Sequence, residues 1–479
     1  MSSSAASSPT VPAVPVAPRP PRSLAPDIAR GLMLALIAVA NVSWFLWGHE
    51  GGVGMTPHVP ALGPADTVVQ VIMTVAVDHR AMPLFAFLFG YGMVQFYRSR
   101  IDRGLEARTV RRMLRRRHWA MLLLGLLHAA LLFFGDILGA YAVAGLLLVW
   151  IFFGRRTRTL VIWAGIIGGI MALFAVLSVV SAVVLAAFAP SETLDQMGAP
   201  SAAYSNDWLR DAAYGTAYLP SVLNRIGFWV VALLPAALAG AALPILLGWI
   251  AARHRLLDEP WRHRRTLTRL AIGGIAIGWL TGVPDALAIA GGPALPESLS
   301  WAFLGLSSLG GTLCGIGYAA AFGLLALRGE GRAAAAPEPA PTLTRDERTA
   351  RRRERAAADR ALDPAERAYG VPAGDAGASP TAAPPGLLRM LSAVGQRSLT
   401  FYLFQSLLIA PLMAGWGLGL APSLSTWSAV AIALGVWLLS LPIAAWMDTR
   451  GMRGPAEALL RRMTYGRHDR ARAGAQRPA

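Results

Sequence analysis

The sequence contains no lysine, so all 44 of its basic side chains are arginines. It contains a single cysteine, Cys314, which excludes an intramolecular disulfide framework. Charged residues are also scarce, at 15% of the chain, whereas a typical soluble domain has about 25%. These shortages argue against a soluble globular protein and against a disulfide-stabilised secreted one.

Hydrophobic residues make up 55% of the 479 residues, and the mean hydropathy is +0.47. They form runs long enough to cross the roughly 30 Å hydrocarbon layer of a lipid bilayer. We therefore predict an all-α integral membrane protein, a bundle of about ten transmembrane helices. The predicted helices cover 31–48, 80–97, 119–134, 137–153, 160–188, 227–251, 270–290, 301–327, 399–415 and 426–447. A short apolar segment, 64–77, is predicted to be an interfacial or re-entrant helix.

The arginines lie in alternate loops between these runs. There are nine in 98–118, three in 154–159 and six in 252–269, whereas the intervening loops carry few. By the positive-inside rule, both chain termini are predicted to be cytoplasmic. The net charge of +17 thus reports orientation, and no nucleic-acid-binding module is visible.

Composition divides the chain into membrane and non-membrane parts. Disordered cytoplasmic segments are predicted where Ala, Pro, Ser and charged residues replace the apolar runs. The predicted parts are a tail (1–26), an N-terminal transmembrane bundle of about eight helices (27–327), a disordered insert (328–385), C-terminal transmembrane helices (386–466) and a tail (467–479).

Ionisable groups within apolar runs are costly and therefore mark candidate sites. Asp27, Arg30 and Asn41 lie on one face of the first helix, because eleven residues separate Arg30 from Asn41, about 20° on the helical wheel and about 16 Å along the axis. They are candidates for binding a substrate or cofactor. The alternative interpretation is an ion pair at the helix N-terminus, with Asn41 in a packing contact.

His128 and Asp136 are candidate catalytic residues, because a carboxylate beside an imidazole orients the ring and raises its basicity. The Gly135-Asp136 break after the third helix would bring the two within reach of each other. His49 and Asp285 are predicted to join them at the outer end of the bundle. The alternative is a histidine satisfied by a backbone carbonyl.

Two further pairs of polar residues are candidates for binding a substrate or cofactor. Asp78 and His79 stand at a membrane boundary beside Arg80, where the alternative is a solvated turn. Tyr402 and Gln405 share a helix face with Ser398, where interhelical hydrogen bonding is the alternative. No clustered metal ligands, phosphate-binding loop or dinucleotide fingerprint is present, so no metal site is predicted.

An ordered set of motifs resembles the bacterial YeiB-like family of membrane proteins, which carries the domain of unknown function 418 (DUF418) in its C-terminal half. Together the motifs cover most of the chain outside the tails and the insert. They are Asp27-Ile-Ala-Arg30-Gly31 with Asn41, Pro83 to Gly92, Gly125-Leu-Leu-His128, Gly135-Asp136-Ile-Leu with Tyr141, Gly395 to Ser406, Gly454-Pro455-Ala-Glu457 and Met463 to Gly466.

The opening D-x-x-R-G motif, with Asn41 eleven residues after its arginine, is also similar to the heparan-glucosaminide acetyltransferase family and, more loosely, to broader transmembrane acyltransferases. That resemblance implies acyl transfer from an acyl-CoA donor to an envelope or other extracytoplasmic acceptor, across the bacterial cytoplasmic (inner) membrane. It places the catalytic histidine in the outer loop after the first helix, where His49 is the near match, whereas the YeiB-like pattern offers His128 with Asp136. A small-molecule transporter or permease and a non-catalytic membrane scaffold are the alternative functions.

Overall fold

The computed structural model describes residues 24–51, 56–194, 196, 206–292, 296–329, 350 and 386–465. Every regular element in that part is helical, so the all-α prediction is confirmed there. Most of the predicted N-terminal tail and 328–385 insert, and all of the 467–479 tail, lie outside the described residues.

The described residues form sixteen α-helices, which are numbered in chain order. The helices are α1 (Ala25–Val42), α2 (Pro64–Ala76), α3 (Ala81–Ile101), α4 (Ala107–Leu131), α5 (Ile137–Phe152), α6 (Thr157–Phe188), α7 (Asn206–Tyr214), α8 (Tyr218–Pro235), α9 (Ala242–Arg253), α10 (Arg264–Leu280), α11 (Val283–Ile289), α12 (Leu304–Gly329), α13 (Gly386–Gln396), α14 (Ser398–Met413), α15 (Thr426–Thr449) and α16 (Pro455–Thr464). A π-helical stretch, Ala236–Ala241, joins α8 to α9.

Six helical stretches of the described chain are long and apolar enough to cross a membrane, and a seventh is added if the bent pair α10–α11 is one span. The predicted segments at α5 and α14 are apolar helices of 16 residues each, and α4 is arginine-rich over its first half. The chain is therefore a membrane-type protein with several apolar helices, while the count of ten spans and the orientation remain predictions.

The exposure of α6 indicates a lipid environment. The most apolar window of this 32-residue helix has a mean hydropathy of 2.7, yet only 17% of that window is buried inside the fold. Ile170 and Phe174 are among its exposed side chains, at 63% and 60%. Since an all-round apolar helix is stable only when it is covered, bilayer lipid is its natural surrounding.

The segment predicted as an interfacial or re-entrant helix is α2. It is followed by a turn at Val77–Arg80, after which α3 begins, so α2 and α3 form one interrupted 38-residue apolar stretch. Arg80 is buried in the break and donates to the carbonyls of Asp78 and Gly278, at 2.5 and 2.6 Å. These bonds satisfy backbone groups at a break where helical hydrogen bonding fails.

The motif that begins at Asp27 and the motif that begins at Gly395 meet where α1 crosses α13. A Cβ atom on Gly395 would lie 1.7 Å from the carbonyl oxygen of Asp27, and one on Gly31 would lie 2.2 Å from that of Leu391. The carbonyl of Gly31 also accepts a 3.0 Å hydrogen bond from the indole of Trp437. Small residues thus let the two backbones touch, as in other closely packed membrane helices.

Candidate functional site

A cavity of about 660 Å³ opens between α1, α3, α4, α14 and α16. Its mouth is rich in arginine, and its interior is lined by apolar side chains. The arginines that line it are Arg30, Arg100, Arg103, Arg117 and Arg461. The deeper lining includes Met33, Phe85, Leu88, Met121 and Leu138. A cationic entrance above an apolar chamber suits a ligand with an anionic head and an apolar tail.

Glu457 is the one acidic residue in this lining among the described residues, and its carboxylate is already engaged. Oε1 accepts from the backbone N–H groups of Leu399 and Thr400, at 2.8 and 3.1 Å, and Oε2 accepts from the Thr400 hydroxyl at 2.5 Å. The charge therefore caps the N-terminus of α14, where the helix dipole favours it. This explains the Gly454-Pro455-Ala-Glu457 motif as a helix cap supplied from α16.

We expect Glu457→Ala to lower the stability of the protein by about 1–2 kcal/mol, the usual cost of losing a helix cap. The measurement is the thermal unfolding midpoint of the detergent-purified protein. Glu457→Gln keeps an acceptor but removes the charge, so its midpoint should lie between those of Glu457→Ala and the unchanged protein. Equal midpoints for all three proteins would contradict the capping role.

The mouth keeps most of its positive charge. Arg30 pairs with Asp27 at 3.1 Å, and Arg100 donates from Nε to the Tyr465 hydroxyl at 2.8 Å. Within the described part of the chain, no carboxylate forms an ion pair with Arg103, Arg117 or Arg461, so the mouth attracts anions. Partial burial and the nearby Arg453 charge lower the pKa of Arg461, as expected for a cation short of counter-charge.

His128 and Asp136 are brought together as predicted from the sequence. Nδ1 of His128 lies 2.8 Å from Oδ1 of Asp136, and the two residues are 3% and 6% exposed. Asp136 is also the N-cap of α5, since its Oδ2 accepts from the backbone N–H of Gly139 at 2.8 Å. Because a carboxylate that caps a helix accepts hydrogen bonds, we assign the proton of the neutral ring to Nδ1.

This tautomer makes Nε2 of His128 the basic atom. Nε2 is buried and has no hydrogen-bond partner among the described residues. The Tyr402 ring packs against the imidazole at a centroid distance of 5.0 Å, and its hydroxyl lies 3.4 Å from Oδ1 of Asp136. Gly125, one turn before His128, leaves room for this approach, since a Cβ there would lie 2.5 Å from Oδ2 of Asp136.

The cavity approaches the His128–Asp136 pair but does not reach it. Leu138, which lines the cavity, follows Asp136 by two residues at the start of α5. Phe85, also in the lining, packs against Tyr402 with ring centroids 6.3 Å apart. His128 itself does not line the cavity. Phe85 and Tyr402 therefore stand between the arginine-rich mouth and the buried histidine.

Three other residues predicted from the sequence, Asn41, Gln405 and His49, do not line the cavity. Asn41 lies in the last turn of α1, at the opposite end of that helix from Asp27 and Arg30. Gln405 donates to the carbonyl of Leu34 at 3.0 Å, which is the interhelical packing contact foreseen as its alternative. His49, expected beside the His128–Asp136 pair, instead hydrogen-bonds to the Ala421 carbonyl at 3.0 Å.

A second histidine–aspartate pair was not anticipated. Asp78 Oδ2 lies 2.8 Å from Nε2 of His58, which also lies 3.2 Å from the Thr74 hydroxyl. His79 adjoins this group with a backbone φ of 58°, and Asp285 accepts from Ser307 at 3.0 Å rather than joining the His128 pair. No sequence signal marked His58, because it lies in a loop outside the apolar runs, 20 residues before Asp78.

Comparison with known proteins finds a match to a family model and a match to an uncharacterised bacterial relative. A family model described as a protein of unknown function (DUF418) matches residues 251–337 and 374–467. An uncharacterised protein, YxaH of Bacillus subtilis (strain 168), is 29% identical over 273 residues, which are 53% of this chain and 63% of the relative. The match thus spans less than two thirds of that relative. No solved structure matches the chain.

Proposed function

We propose that this chain, a YeiB-like DUF418 membrane protein, is an acyltransferase of the bacterial cytoplasmic membrane. It would move an acyl group from acyl-CoA to an envelope acceptor. The observation that carries the proposal is the arginine-rich cavity whose apolar end lies beside the His128–Asp136 pair. The positive-inside rule places the arginine-rich mouth at the cytoplasm, where acyl-CoA is available.

The phosphates of acyl-CoA and its acyl chain fit two different parts of the cavity. The phosphates meet Arg100, Arg103 and Arg117 at the mouth, where guanidinium groups bind phosphate oxygens with directed N–H groups. The acyl chain and thioester extend into the apolar interior towards Phe85 and Leu138. Displacement of Phe85 and Tyr402 would complete the path from the thioester to His128.

His128 serves as the general base in this reaction. Nε2 takes the proton from an acceptor hydroxyl or amine as that atom bonds to the thioester carbonyl carbon. The carbon–sulfur bond then breaks, and the proton on Nε2 passes to the leaving CoA thiolate. Asp136 keeps the ring in the required tautomer and stabilises the imidazolium formed in between.

The proposal is tested by acyl-CoA binding to the purified protein in nanodiscs, measured by calorimetry with acetyl-CoA and palmitoyl-CoA. We expect saturable binding that Arg117→Gln weakens about tenfold, the usual loss for one charge-assisted contact. Arg115→Gln is the matched control, because Arg115 is exposed on the same helix and does not line the cavity.

Absence of saturable acyl-CoA binding would contradict the proposal. The two other functions considered from the sequence make different predictions in the same system. Proton-coupled uptake of a solute that Asp136→Asn abolishes would support a permease. A scaffold would show no phenotype on replacement of His128.

A further inference from the structure

Three arginines and two aromatic rings alternate along the wall of the cavity mouth, and we call them the arginine–aromatic ladder. Its order is Arg117, Phe96, Arg100, Tyr465 and Arg461, and all five line the cavity. The successive distances from guanidinium carbon to ring centroid are 5.7, 4.5, 5.7 and 5.1 Å.

The ladder is assembled from three helices. Phe96 and Arg100 are four residues apart on α3, and Arg461 and Tyr465 are four apart at the end of α16, so each pair shares one helix face. Arg117 reaches the same wall from α4. The hydroxyl of Tyr465 accepts from Nε of Arg100 at 2.8 Å, which joins the α3 and α16 parts.

Exposure changes along the ladder. Arg461 is exposed, Tyr465, Arg100 and Arg117 are half-buried, and the apolar chamber with Phe85 lies beyond them. A ligand lying along this wall would meet flat stacking surfaces first, then guanidinium N–H groups, then apolar side chains. Stacking on aromatic rings and guanidinium planes is how proteins hold nucleobases.

We propose that the ladder is a binding site for a purine nucleotide carrying a diphosphate, with the base stacked at Tyr465 and Arg461 and the phosphates at Arg100 and Arg117. This rests on the proposed function to the extent that the donor's adenosine diphosphate end would occupy the site. A phosphate-only ligand or a lipid headgroup would use the cations but gain little from the rings.

The test compares two phosphate ligands that differ in the base. Binding of adenosine 3′,5′-diphosphate and of inorganic pyrophosphate to the full-length protein in phosphatidylcholine nanodiscs is measured by calorimetry. We expect the nucleotide to bind at least tenfold more tightly than pyrophosphate, because only the nucleotide stacks. Tyr465→Leu should remove about tenfold from nucleotide affinity and change pyrophosphate affinity less than twofold.

Two further variants separate stacking from other effects. Tyr465→Trp removes the hydroxyl contact with Arg100 but keeps an aromatic plane, so it should retain nucleotide binding. Phe153→Leu is the matched control, because Phe153 carries a comparable arginine contact, from Arg111 at 3.9 Å, outside the cavity lining. Variants are compared after confirming monodisperse elution.

Equal affinities for the two ligands, or equal losses in Tyr465→Leu, would overturn the proposal and leave a site for phosphate alone. Loss of nucleotide binding in phosphatidylglycerol nanodiscs would assign the site to a lipid headgroup instead. Nucleotide binding without any acyl transfer would sustain this site while refuting the acyltransferase. Acyl transfer that is insensitive to Tyr465→Leu would support the acyltransferase while refuting this nucleotide site.

Discussion

Replacement of His128 by alanine is expected to lower the acyl-transfer rate by about two to four orders of magnitude, the usual contribution of a general base. Acyl-CoA binding should be unchanged, because the arginine-rich mouth is built from other side chains and His128 does not line the cavity. The measurement pairs single-turnover transfer of a radiolabelled acyl group with calorimetric binding in the same preparation.

A second variant, Asp136→Asn, tests whether the carboxylate sets the tautomer of His128. The amide keeps the size of the carboxylate but can donate to Nδ1, which favours the tautomer with its proton on Nε2 and removes the base. We expect a comparable loss of rate in this variant. His49→Ala separates the two candidate histidines, since His49 contacts the Ala421 carbonyl rather than Asp136. A larger loss of rate in His49→Ala than in His128→Ala would contradict the assignment of the base.

Replacement of Gly395 by alanine is expected to destabilise the protein by about 3 kcal/mol, at the upper end of the cost of overpacking. The added Cβ would lie 1.7 Å from the carbonyl oxygen of Asp27, so α1 and α13 must separate. Because Arg30 follows Asp27 by one turn of α1, this separation should also weaken ligand binding at the mouth. The measurements are the thermal unfolding midpoint and the yield of monodisperse protein.

Gly435→Ala on α15 is the matched control, because no heavy atom lies within 4 Å of its would-be Cβ. Alanine is a better helix former than glycine, so that variant should unfold at the same temperature as the parent or slightly above it. The close crossing of α1 and α13 would be disproved if Gly395→Ala matched Gly435→Ala in unfolding midpoint.

The predicted resemblance to DUF418 proteins is confirmed by the family-model match, and the structure gives several motifs a physical role. Gly31 and Gly395 permit one helix crossing, Glu457 caps α14, and Gly125 admits Asp136 beside His128. Each motif is short and local in the sequence. The contact that explains it usually involves a second motif far along the chain, which sequence inspection alone could list but not pair.

The sequence by itself determined the apolar helices and the neighbourhood of His128 and Asp136. The reason is local geometry: hydrophobic runs of sufficient length must be helical in a bilayer, and eight residues across one helix break hold two side chains close. Only the tertiary structure decided that His58 meets Asp78, that His49 contacts the Ala421 carbonyl, and that Phe96 and Tyr465 share one wall.

Those contacts depend on which helix faces pack together, and hydrophobic pattern carries little of that information in a membrane protein. Lipid-facing and protein-facing side chains are both apolar there, so burial does not mark the buried face as it does in water. The arginine-rich loops predicted an orientation from the sequence. Their gathering around a single cavity, as Arg30, Arg100, Arg103, Arg117 and Arg461, was settled by packing alone.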